Sequence, residues 1–161
     1  MKTKRPRRPS AKALSAMLAL LVTGLVLGAS QVAPPAVRFT HVDVFIDSAG
    51  AALGAYQVEL KPSDNRVTLV GVEGGDPAMA AFAEPPYYDP AALNESSRGR
   101  VILAALHAGG EAPSGSTRVA RIHVRVVGGG APEFETKIAA AANPAGERIE
   151  ATVTLRTGED K

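Results

Sequence analysis

Ala120-Arg121-Ile122-His123-Val124-Arg125-Val126 alternates apolar and polar residues without a break. A strand turns successive side chains to opposite faces, so Ala120, Ile122, Val124 and Val126 share one face, with the two arginines and the histidine on the other. The same period recurs outward from this stretch. His41-Val42-Asp43-Val44-Phe45-Ile46-Asp47 sets Val42, Val44 and Ile46 to one side. Tyr56-Gln57-Val58-Glu59-Leu60 does so with Tyr56, Val58 and Leu60, and Ala151-Thr152-Val153-Thr154-Leu155 closes the series. Two runs are apolar on both faces, Val67-Thr68-Leu69-Val70-Gly71-Val72 and Val101-Ile102-Leu103-Ala104-Ala105-Leu106. Such a strand is either central in a sheet or covers a contact surface. Gly, Pro, Asn and Asp clusters separate the runs, at Ser48-Ala49-Gly50, Pro62–Asn65, Gly74–Pro77, Gly109-Gly110, Pro113–Gly115, Gly128–Gly130 and Asn143–Gly146. Short strands with turn signals between them predict an all-β, antiparallel β-sandwich.

The chain ahead of that body has a different character. Residues 1–12 carry six Lys or Arg, and residues 13–29 form an uncharged apolar run. A cationic head followed by an apolar stretch is the pattern of an export signal. Residues 1–30 are read as a signal peptide, cleaved after Ser30, or as a retained anchor with an apolar helix over 13–29. Pro34-Pro35 marks a linker over 31–38, because proline blocks helix continuation. The domain is expected over 39–157, with a polar tail at 158–161. This places the protein outside the cytoplasm: extracellular, periplasmic or on the cell surface, touching a membrane only through 13–29.

Charge and composition exclude several functions. The chain's formal charge is +2, but from residue 39 onward there are 11 basic residues against 16 acidic, a net of −5. An acidic body does not neutralise phosphates, so no nucleic-acid partner is expected. With no cysteine there is no disulfide, thiol nucleophile or Cys-ligated metal. His41, His107 and His123 lie in no metal-ligand pattern, and the aspartates lack EF-hand spacing, so no metal or cofactor is expected. No Gly-x-Ser-x-Gly elbow is present. Glu73, Glu84 and Asp89 supply carboxylates, but seven Phe and Tyr and no Trp make a poor sugar cleft. Gly128-Gly129-Gly130 is followed by Ala131-Pro132 rather than a helix, so it is a loop and not a phosphate cradle. Asn94-Glu95-Ser96 matches a glycosylation sequon. The chain reads as a non-enzyme.

Two features suit recognition. Arg121, His123 and Arg125 form a basic stripe that is either solvated or a patch for an acidic partner. The long irregular stretch 74–98 holds an Ala-rich piece and then Pro85-Pro86-Tyr87-Tyr88-Asp89-Pro90. Prolines stiffen this loop, and adjacent tyrosines offer a rigid amphipathic surface. Tyr87, Tyr88 and Asp89 are therefore candidate partner-binding residues. Val101 and Leu103, with Ala105, are candidates on a flat sheet face.

The order of these elements resembles the cohesin domain. Tyr56–Lys61, the turn at Pro62–Asn65 and Val67–Gly75 are similar to the early strands of that family. Gly99-Arg100-Val101-Ile102-Leu103-Ala104-Ala105 is similar to its middle strand, and Gly115–Val126 to its "G-x-L-A-x-I-x-F-x-V" strand. The likeness covers about residues 40–156. The family's Y-D-P turn is here Lys61-Pro62-Ser63-Asp64. The resemblance implies a jelly roll of about nine strands, a fold shared with family 3 carbohydrate-binding modules. It also implies a non-catalytic adhesion role toward a protein partner of the dockerin kind. Alternatives are a carbohydrate-binding module of a polysaccharide-degrading system and a self-assembling structural envelope protein.

Overall fold

The computed structural model describes residues 33–93 and 99–158. The signal or anchor at 1–30, its apolar helix, the sequon at Asn94–Ser96 and the end of the polar tail lie outside these residues. The body belongs to a unit that runs from Pro35 to Lys161. Among the described residues it is all-β, with seven strands: β1 (Val37–Ala52), β2 (Ala55–Pro62), β3 (Val67–Gly74), β4 (Val101–Leu106), β5 (Ser114–Val127), β6 (Phe134–Ala142) and β7 (Thr152–Thr157). One sheet has the order β3-β5-β1-β7 and the other β4-β2-β6. All strand pairings are antiparallel.

The alternating stretches become the facing layers. Val42, Val44 and Ile46 of β1 and Ala120, Ile122, Val124 and Val126 of β5 are buried. They meet Tyr56, Val58 and Leu60 of β2 and Val101 and Leu103 of β4 from the other sheet. Val153 and Leu155 of β7 pack half-buried at the rim. Each fully buried Val, Leu or Ile is worth about 1.5–3 kcal/mol relative to exposure, which drives the two sheets together.

Successive strands always change sheet, so no two consecutive strands pair. The turn at Ser63–Asn65 therefore bridges the layers instead of closing a hairpin. Asp64 shapes it by accepting from the Arg66 amide at 2.8 Å and from the Arg66 guanidinium at 2.8 Å. That guanidinium holds Asp64 below the usual carboxylate range. The Arg66 and Arg38 guanidinia also donate to the carbonyls of Gly129 and Gly130, which ties the Gly128–Gly130 crossing to the same end.

The first strand begins at Val37, beside the expected domain start near Phe39. Three other expectations are refined. Ser48-Ala49-Gly50 is not a turn between strands but a bulge inside β1, where Ala49 and Gly50 take φ of 52° and 86°. The buried Ser48 hydroxyl stabilises it by donating to the Ala51 carbonyl and accepting from the Gly115 amide. The runs with two apolar faces are not central. β3 and β4 are edge strands, one in each sheet. On their second apolar faces Val70, Ile102 and Leu106 remain exposed, while Tyr87 bridges the free edge of β4 at Ala104. Finally, among the described residues there are seven strands where the resemblance implies about nine, and the further pairings there are two single bridges, Tyr87 with Ala104 and Arg148 with Ala142.

Candidate functional site

The segment after β3 is held by close backbone approach. A Cβ on Gly74 would fall 1.8 Å from the Ala83 carbonyl oxygen, and one on Gly75 would fall 2.2 Å from that of Arg118. Only glycine fits either position. The Gly75 amide then donates to the Phe82 carbonyl at 2.7 Å. Phe82 is buried with a left-handed φ of 60°, a strained state for a bulky residue. Its ring meets Tyr56 edge-on at 5.3 Å and His107 at 5.9 Å. Phe82 thus plugs the gap between the edges of β3 and β4.

From this anchor the chain runs out along β4. Pro86 is buried, and Tyr87 exchanges two backbone hydrogen bonds with Ala104, at 2.8 and 3.0 Å. The Tyr87 backbone is fixed like a fourth strand of the sheet, while its ring is 79% exposed. Tyr88 turns the other way and packs half-buried against the core. Asp89 is exposed; its carboxylate accepts from the Ala91 amide at 2.9 Å and caps the 3-10 turn Pro90–Leu93.

Of the predicted contact residues, Tyr87 and Asp89 lie on one exposed surface. Val101 and Leu103 do not, which corrects their assignment to a contact face. Both are 0% exposed and point into the core. The outward residues of β4 are Ile102, 37% exposed, and Leu106, 75% exposed. Period-2 alternation separates these two sets, but both are apolar. Only the opposing sheet decides which set is inside.

Tyr87 and Ala104 form a common wall between two hollows. One, of about 380 Å³, is bordered by Phe82, Glu84, Pro85, Leu106 and His107. The other, of about 330 Å³, is bordered by Gln57, Asp89, Arg100 and Ile102. The Arg100 guanidinium is already engaged by Glu59 at 3.1 Å. His107 Nε2 is buried without a hydrogen-bond partner among the described residues.

The opposite outer face is different in kind. Asp43 takes Arg121 at 2.7 Å and Arg118 at 3.5 Å, and His123 lies 2.9 Å from Glu73. Burial opposes ionisation of Asp43, but the hydrogen bond and charge of Arg121, with the charge of Arg118, outweigh it and hold its carboxyl below the usual range. Arg156 stacks on Phe45 at 4.1 Å. Arg121 and His123 of the stripe therefore face carboxylates of their own sheet. Among the described residues no three His, Asp or Glu side chains come together to hold a metal.

No protein family, curated protein or solved structure matches this chain.

Proposed function

We propose that this chain is an exported, non-catalytic module that recognises a protein partner through the outer face of β4 and the Tyr87 segment. The finer fold reading, a jelly roll of the cohesin kind, and a partner of the dockerin kind belong to the same proposal and rest on the resemblance of 40–156. One observation carries the choice of surface. Tyr87 is anchored by two backbone hydrogen bonds and yet presents its ring to solvent. A ring that contributes nothing to the core, held at little further entropic cost, beside exposed Ile102 and Leu106, has the make-up of a binding anchor.

In this reading the Tyr87 segment and the outward residues Ile102 and Leu106, in place of the predicted Val101 and Leu103, act together. A polysaccharide platform needs a planar row of rings. Among the described residues this face presents Tyr87 alone in that role, so a protein is the better-supported partner. The test is capture from envelope extracts with the exported chain, in wild-type and Tyr87→Ala forms. Wild type is expected to retain a protein that the variant loses, with unchanged thermal unfolding of the variant. Equal capture by both, or retention of polysaccharide alone, overturns the proposal.

A further inference from the structure

Glu84 and Asp89 border the two hollows that share the Tyr87 wall, one carboxylate in each. Both residues are exposed, and neither meets a cation among the described residues. Asp43, Glu59, Asp64, Glu73 and Glu135 each have a basic partner, while Asp47, Asp76, Glu111, Glu133, Glu147 and Glu150 share with Glu84 and Asp89 the lack of an ion pair among the described residues; only Glu84 and Asp89 border the hollows beside Tyr87. The cation nearest in kind, Arg100, is held on Glu59. Tyr87 thus stands between two unbalanced negative charges in a body that is itself acidic.

We propose that the Tyr87 surface takes the basic side chain of a partner polypeptide, an arginine or lysine laid on the Tyr87 ring between Glu84 and Asp89. This rests on the recognition reading above and names the chemistry of its central contact. The negative face of an aromatic ring attracts a cation, and a guanidinium adds planar stacking. The fold already uses that geometry within itself, where Arg156 lies over Phe45 at 4.1 Å. The hollows, bordered by Leu106 and Pro85 on one side and Ile102 on the other, suit the apolar neighbours of the basic residue. From Ile102 to Leu106 is roughly 13 Å of strand, the reach of about five residues of extended chain. Arginine or lysine flanked by apolar side chains is the matching sequence.

The experiment uses the exported chain on an array of peptides with apolar flanks and a fixed centre: arginine, lysine, citrulline, norleucine or glutamate. Wild type should hold the arginine and lysine peptides about tenfold better than the citrulline and norleucine ones. That preference should weaken from ~0.05 M to ~0.5 M salt as the charges are screened. Glu84→Gln with Asp89→Asn should abolish the preference; asparagine keeps the capping oxygen of the 3-10 turn. Tyr87→Ala should release all the peptides. Peptides held through Tyr87 with no preference for a charged centre would overturn the cation proposal and leave the recognition reading standing. No peptide held by wild type, or preferential capture of cationic chitosan oligomers, also overturns it. Envelope capture lost in Tyr87→Ala then reports separately on the broader reading.

Discussion

Phe82 shows how much a single residue carries here. It accepts a left-handed backbone in order to bury its ring against Tyr56, and the glycines at 74 and 75 make room for its segment. Gly75→Ala forces a methyl group into the Arg118 carbonyl and should cost about 3 kcal/mol, an overpacking penalty, measured as a loss of unfolding free energy in urea. The Phe82 side chain is a core group, so Phe82→Ala should cost about 3 kcal/mol, a cavity loss with no return from the backbone, because alanine keeps the Cβ that the left-handed φ disfavours. Tyr56 is a smaller case. Its hydroxyl donates to the Val119 carbonyl at 3.1 Å, and burial pushes its ionisation above the ordinary range. Tyr56→Phe should cost about 1 kcal/mol, the net value of one buried hydrogen bond. Composition marks Gly74-Gly75 as a turn. That the pair is a passage for another segment is a fact of tertiary contact.

At the scale of elements, the outer face of β1 and β5 is a ladder of ions. Asp43 sits between Arg118 and Arg121, whose side chains are 20% and 28% exposed. Asp43→Asn removes the counter-charge from two half-buried guanidinia and should cost about 1–2 kcal/mol, between the values for surface and buried pairs. The pH dependence has a definite sign. The folded pKa of Asp43 lies below its ordinary 3.8, so its contribution is complete above that value and is lost as pH falls through the lower, folded one. Wild type and Asp43→Asn should differ in melting temperature at neutral pH and converge in strong acid. A gap that persists undiminished in strong acid would show that this carboxylate's charge is not the cause. The basic residues of β5 were visible in sequence as a stripe. Their carboxylate neighbours were not, because Asp43 and Glu73 come from other strands.

For the whole molecule, the decisive feature is that each strand pairs only with strands distant in sequence. Every ladder must wait for a long loop to close, so folding should be slow, in milliseconds to seconds, as followed by stopped-flow fluorescence of the tyrosines. A microsecond phase carrying the full amplitude would contradict this. Alternation by itself determined the class, two facing layers of strand, and it picked out the inward residues of β1, β2 and β5 correctly, since one polar face per strand leaves a single way to bury the other. It could not orient β4, whose faces are both apolar, and so Val101 and Leu103 were assigned to a surface while Ile102 and Leu106 occupy it. Nor did it join Tyr87 to β4. Side-chain pattern is local and states what each residue prefers. Which strands become neighbours, which edge a loop covers and which carboxylates lack a partner depend on the pairing of residues far apart in the chain, and that is settled only when the two layers close on each other.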